Sequence, residues 1–196
     1  MTDRLPDASL ERLFTRARTP LAWRPEPVPH ALLERVYGLA RLCPTSANAS
    51  PARFVFVTSA EGKARLAPLL SKGNRERTAA APVTVIIGYD LQFLDRLPTL
   101  YPHAPSAIHW FGEGQARERH ALRNSALQGA WLMMAARALG LDAGPMSGFD
   151  MDGVDAAFFP DGSVRSNFLC NLGYGRPEAL PERPPRLAFD EACRFA

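Results

Sequence analysis

The chain has only two lysines, Lys63 and Lys72, so its formal charge of +3 and pI near 9.0 rest almost wholly on arginine. Those arginines are scattered among nearly as many acids, not gathered into a stripe, which argues against a nucleic-acid partner. Cysteine is scarce: Cys43, Cys170 and Cys193 lie far apart, form no Cys-x-x-Cys pair, and the four histidines lack His-x-x-x-His spacing. A structural zinc site, a thioredoxin-type centre and a metal centre are not expected. No apolar run reaches the roughly 20 residues that a membrane helix needs, and Met1–Asp7 has no basic patch leading into an apolar stretch. The expectation is a cytoplasmic protein with no membrane association. Gly-x-Gly-x-x-Gly, Gly-x-x-x-x-Gly-Lys-Ser/Thr and Gly-x-Ser-x-Gly are all absent, which removes dinucleotide-fold, P-loop and nucleophile-elbow chemistry.

What is present reads as one globular domain over residues 1–196, with 46% hydrophobic and 22% charged residues excluding general disorder. Helical spacing after Asp7, a candidate N-cap, runs through Leu10, Leu13, Phe14 and Ala17. Prolines 20, 25, 27 and 29 forbid a continuous helix before a second one, which starts at Pro29 and carries Leu32, Leu33, Val36, Leu39 and Ala40. Phe54–Val57 and Val83–Ile87 read as buried strands, the latter without a charge and so central to a sheet covered on both faces. A helix over about Ala60–Leu70 lies between them. Asp90–Gly114 is irregular and aromatic-rich, a loop or lid. Arg117–Leu139 is the strongest helix, apolar nearly all round and therefore packed on several sides or at a subunit interface, with Gly140 as its C-cap. Met151–Phe159 reads as a short helix, Asn167–Gly175 as a last strand, and the segment around Asp190 as a final helical turn.

Three features could carry chemistry. Pro44–Pro51 offers hydroxyl and amide groups at Thr45, Ser46, Asn48 and Ser50, as a ligand loop or as a plain polar turn. Gly144–Gly148 is a backbone-exposing loop, suited either to a flat heterocycle or to a simple turn. Arginines stand at both ends of the chain, Arg16 and Arg18 beside Thr19, and Arg183 with Arg186. Brought together they would grip a phosphate; apart, they are solvated surface charges. Cys43 reads as a buried helix-end thiol, not a nucleophile.

Several of these segments together resemble the FMN-dependent nitroreductase family. Arg18-Thr19-x-x-x-Trp23 is similar to its Arg-Ser-x-x-x-aromatic start, and Pro44-Thr45-Ser46-x-Asn48-x-Ser50-Pro51 to its Pro-Ser-Ser-x-Asn-x-Gln-Pro loop. Gly144-Pro145-Met146-Ser147-Gly148-Phe149-Asp150 resembles its Pro-x-x-Gly-Phe-Asp loop, and Arg186 its C-terminal phosphate-binding arginine. The order is right and the span nearly the whole chain. Within the family, the RutE/HadB branch of malonic semialdehyde reductase-like proteins is most similar, through Cys43–Arg53, Arg123-Asn124-Ser125, Ala138–Asp142, Ser166-Asn167 and Pro185–Cys193.

The resemblance implies an α+β nitroreductase-like fold: a central mixed, mostly antiparallel sheet flanked by helices, in an intertwined homodimer with two FMN sites at the interface. It places Arg18, Thr19 and Arg186 on the FMN phosphate and ribityl chain. Arg183 joins them because Ala17 and Leu21 stand where many relatives carry basic residues. Pro44, Thr45, Ser46 and Asn48 would reach the flavin from the partner subunit, Asn74 would lie near the ring or ribityl, and Ser50 replaces the commoner glutamine. Pro145, Met146, Ser147 and Gly148 would lie against the ring with a backbone N–H toward N5, and Trp131 would sit in the dimer core. The implied activity is transfer of hydride from NADH or NADPH through FMN to a small acceptor, with no catalytic side chain. The acceptor expected from the branch is malonic semialdehyde, giving 3-hydroxypropionate. Broad nitroaromatic or quinone reduction is the alternative, and a flavin-free binding or regulatory module a second one.

Overall fold

The structure, a computed structural model, describes residues 4–196; Met1, Thr2 and Asp3, the start of the segment read above for a leader, lie outside them. Four strands form the sheet among the described residues: β1 (Ala52–Val57), β2 (Val83–Asp90), β3 (Asp142–Met146) and β4 (Val164–Gly173), in the order β1-β2-β4-β3. All three pairings are antiparallel, so the expected mixed character is absent. The helices are α1 (Asp7–Leu10), α2 (His30–Ala40), α3 (Ala60–Leu66), α4 (Lys72–Ala80), α5 (Leu97–Leu100), α6 (Gln115–Ala138), α7 (Met151–Phe158) and α8 (Phe189–Ala192).

The charge-free run read as a central strand is β2, whose residues are all buried. Its side chains alternate between two cores, as the two-residue repeat of a strand requires. Val83, Val85 and Ile87 meet Val36 of α2 and Leu132 and Ala136 of α6 on one face. Ile86 meets Leu66 of α3 and Val154 of α7 on the other. The sheet is thus sandwiched by helices, which is why an antiparallel strand here lacks the polar alternation of a half-exposed one. The Phe54–Val57 run is different. It lies in β1 at the sheet margin, and its middle residues are only partly buried.

α6 ends as its sequence predicts. Gly140 adopts φ +95°, Leu141 N–H donates to Ala136 O, and Gly140 N–H donates to Arg137 O, the paired bonds of a Schellman closure. Asp7 is not an N-cap. It is the first helical residue, Pro6 precedes it, and α1 passes into a π-turn at Glu11–Thr15 with no buried residue. Gly144–Met146 is not a loop but the end of β3, paired with Leu169–Asn171 along one side only. Pro145 fits there because a marginal strand can lack an outward N–H.

Close packing makes Gly173 irreplaceable at the end of β4. A Cβ there would fall 2.6 Å from Pro82 Cδ and 3.2 Å from Trp23 Cε3. Gly173→Ala is expected to lower stability by about 1–3 kcal/mol, the usual cost of overpacking against rigid rings, measured by denaturant unfolding.

Tyr89, in β2, donates to Glu118 Oε1 at 2.9 Å, and Arg165 donates to the same oxygen at 2.9 Å. Burial first, then the Glu118 carboxylate, pushes the Tyr89 phenol from 10.0 up to about 12. A raised folded-state value favours the neutral phenol, so this contribution is complete below pH 10 and is lost as pH rises through about 12. Tyr89→Phe should abolish that alkaline phase in a pH series of thermal melts.

Candidate active site

The arginines from the two ends of the chain converge. Arg183 Nη2 donates to the carbonyls of Phe14 (2.7 Å), Thr15 (3.1 Å) and Ala17 (2.9 Å). Arg18 Nη1 donates to two of the same oxygens, Thr15 at 2.9 Å and Ala17 at 3.0 Å. Arg186 donates to Pro184 and Pro185 at 2.9 Å each. Removal from water, then the Arg18 and Arg186 charges, holds the Arg183 guanidinium below its ordinary value. Among the described residues none of these three forms an ion pair with an acid. Cations that lean on backbone carbonyls without a carboxylate nearby leave room for a strong anion. Arg16 does not belong to the group. It stands 4.0 Å from Glu11 and faces a separate cavity of about 480 Å³ with Arg12 and Arg24.

Behind this cluster Arg137 of α6 donates from Nη1 to Leu13 O at 3.2 Å, while Arg12 Nε donates to Arg137 O at 3.0 Å. Arg137 Nε is buried without a partner in the protein.

Thr19 leads from the cluster into a cleft of about 60 Å³ whose walls include Trp23, Asn74, Arg77, Pro145, Met146 and Asn171. Asn74 and Gly148 are locked together, with Asn74 Nδ2 donating to Gly148 O at 2.9 Å. The same carbonyl accepts from Ser71 Oγ (2.8 Å) and Ser71 N–H (3.1 Å). Ser147 and Pro145 are exposed; Met146 is half-buried and accepts from Thr78 Oγ1 at 3.5 Å. Trp23 Nε1 in the wall is buried and unpartnered.

Pro44, Thr45, Ser46 and Asn48 lie elsewhere. Their loop precedes β1, whereas Pro145 and Met146 are in β3, and three strand spacings, about 14 Å, separate the two margins of the sheet. One chain therefore does not bring these two predicted groups together. The loop itself is strained. Ala47, Asn48 and Ser50 have φ of +47°, +49° and +42°, conformations that cost non-glycine residues about 1–3 kcal/mol and concentrate at functional sites.

Two residues of the cleft escaped the sequence reading. Arg77 follows Asn74 by one helical turn on α4, but a lone arginine among many carries no signal without its neighbours. Asn171 lies inside an apolar strand, and its side chain joins Thr84 (2.7 Å) and Thr78 (3.2 Å) in a buried polar chain.

Three arginines without ion-pair partners among the described residues thus stand beside a cleft with a buried, unpartnered indole nitrogen, on a helix-covered antiparallel sheet. The nitroreductase family model matches residues 14–174, and the chain belongs to that family. It is 57% identical over 196 residues, all of both chains, to a Stenotrophomonas maltophilia protein named "Putative NADH dehydrogenase/NAD(P)H nitroreductase". A Burkholderia lata protein of the same description is 58% identical over 191 residues, 97% of this chain and 98% of that one. Among solved structures, ydfN of Bacillus subtilis superposes with a TM-score of 0.87 at 20% identity, covering 97% of this chain and 100% of that one. A "putative nitroreductase in complex with FMN" from Exiguobacterium sibiricum gives 0.84 at 22% identity with both chains fully covered.

Proposed function

We propose that this nitroreductase-family chain is an NAD(P)H-dependent oxidoreductase that carries FMN and reduces a small acceptor. The observation that carries the reading is the meeting of Arg18, Arg183 and Arg186, from opposite ends of the sequence, beside the Thr19–Asn74 cleft. Such a cradle fits the FMN phosphate, and the cleft fits the edge of a flat ring system.

Arg183, Arg18 and Arg186 would hold the phosphate through charge-assisted bonds, and Thr19 would contact the adjoining ribityl chain. Arg77, beside Asn74, places a fixed positive charge in the cleft, where it favours negative charge developing on the ring. Pro145, Met146, Ser147 and Gly148 form a backbone platform, made rigid by the three donors on Gly148 O. FMN held there would supply two-electron chemistry between NADH or NADPH and the acceptor. No side chain of the chain is assigned as acid or base.

The site is completed by a second copy, whose Pro44, Thr45, Ser46 and Asn48 supply the far wall. Three features support a homodimer. α6 exposes Leu122, Leu127 and Trp131, at 39, 46 and 44%. β1 leaves one side of the sheet unpaired. The tail from Pro181 onward holds Leu187 and Phe189 largely exposed. No described helix is long and apolar enough to cross a membrane.

For the acceptor we favour malonic semialdehyde, reduced to 3-hydroxypropionate, on the strength of the Cys43–Arg53 and Pro185–Cys193 runs. The names of the relatives favour the second reading, nitroaromatic reduction. Turnover of the aldehyde, a nitroaromatic and a quinone with each nicotinamide decides between them, and failure on the aldehyde retires the first. A colourless protein that refuses added FMN, with no absorption near about 450 nm, would leave the flavin-free binding module standing.

A further inference from the structure

Two polar side chains on the buried face of α6 serve neither the core nor the proposed dimer face. Asn124 Oδ1 accepts from Ser46 N–H at 2.9 Å, and Gln128 Oε1 accepts from Ala52 N–H at 2.9 Å. Both are nearly inaccessible, at 1% and 4% exposure. The Asn124 amide cannot turn over without loss, because its Nδ2 is committed to His120 O at 2.8 Å.

The bonds fall at the two ends of the strained loop. Between Ser46 and Ala52 lie Ala47, Asn48 and Ser50, the three non-glycine residues with positive φ. Further ties act inside the interval. Ser50 N–H donates to Thr45 Oγ1 at 3.1 Å, and Arg53, paired with Asp90, donates to Ser50 O at 3.1 Å. Left-handed alanine and serine persist only where surrounding structure over-determines them. The fixed amides at Ser46 and Ala52 are what this seven-residue segment needs to be held against relaxation.

We propose that Asn124 and Gln128 are positioning residues that hold the Pro44–Pro51 loop in its strained form, so that one helix sets both the pairing of subunits and the flavin wall. Its exposed stripe through Leu127 and Trp131 meets the second copy, and its buried polar stripe shapes the loop offered to that copy. The proposal rests on the reading that this loop meets FMN. It is independent of which acceptor is reduced.

Full-length purified protein is compared with Asn124→Ala, Gln128→Met, Asn124→Asp and Ser125→Ala. Ser125 is the control: it is equally buried on α6, but its hydroxyl donates to Gly88 O and never touches the loop. Two readouts are taken: FMN affinity by fluorescence quenching, and amide exchange of residues 44–53 in flavin-free protein. Asn124→Ala and Gln128→Met each should weaken FMN about tenfold, since each leaves a loop N–H, part-buried at Ser46 and buried at Ala52, without its side-chain acceptor, and should accelerate exchange across 44–53. Asn124→Asp should recover only part of either, because its carboxylate accepts the Ser46 amide but turns a second oxygen, with no hydrogen to donate, toward His120 O. Ser125→Ala should change neither.

Affinities within about twofold of the unmodified protein, with exchange unaltered, overturn the proposal, as does equal weakening by Ser125→Ala. Gln128→Met preserves volume and so tests the idea even if Asn124→Ala fails to fold. Should the unmodified protein bind no FMN, the functional reading fails, while exchange in the flavin-free variants still judges the bracing.

Discussion

Arg183→Ala is expected to weaken FMN binding by about 10–150-fold. A hydrogen bond to a charged group is worth about 1.5–3 kcal/mol, and each 1.4 kcal/mol is a factor of ten. Arg183 is the sharper test than Arg186 because it already spans three carbonyls of the Phe14–Ala17 turn, where Arg18 also points. Arg186, resting on its own neighbouring prolines, should give a loss in the same direction. The Arg18→Ala, Arg183→Ala double variant should lose less than the product of the singles, since the two groups share partners. Lysine at position 183 should rescue in part, carrying charge but not the planar fork. Titration of apo-protein with FMN, followed by flavin fluorescence, checks all four. An unchanged dissociation constant for Arg183→Ala would remove the phosphate role.

Trp131→Glu should convert a dimer into folded monomers that no longer retain flavin. With Trp131 44% exposed in the single chain, docking newly covers roughly 70–110 Å² of an aromatic side chain of about 150–250 Å², or about 2–3 kcal/mol in each of the two subunits at 25 cal/mol per Å². Placing a carboxylate there adds a desolvation cost in each subunit. Dissociation should therefore rise by at least about a thousandfold, since 4 kcal/mol corresponds to nearly that factor. The fold should survive because Trp131 is 44% exposed and stands outside the buried clusters formed with the sheet. Sedimentation velocity at micromolar protein reports the outcome, with far-ultraviolet dichroism as the check on folding. A flavin-bound dimer in this variant would mean the interface lies elsewhere.

Much of the scaffold can be read from the chain because it depends on local periodicity. Val83–Ile87 announces a doubly covered strand, Gly140 a helix end, and Leu122 to Leu139 a helix with more apolar surface than one core can absorb. The residues that escape notice act across distance. Nothing local joins Arg18 to Arg183, 165 positions apart, and only the resemblance to relatives suggests it. Gly144–Met146 reads as a loop because glycine and proline are punctuation in most sequences, yet at a sheet margin they extend a strand. Asn124 and Gln128 look like interruptions of an apolar helix. Their purpose is visible only when Ser46 and Ala52, some 76–78 residues earlier, arrive beside them.

The open flank of β1 has a consequence for how the protein is made. A margin with no strand beside Phe54, Val55 and Phe56 among the described residues is a sticky hem, ready to recruit any extended polypeptide in reach. If the proposed homodimer covers this hem, a newly synthesised chain has to meet a sister before it meets something else. The encounter rate of two such chains, more than the speed with which either one collapses, then governs how much escapes precipitation. Yield at low expression should suffer most, and warmth should make the loss worse.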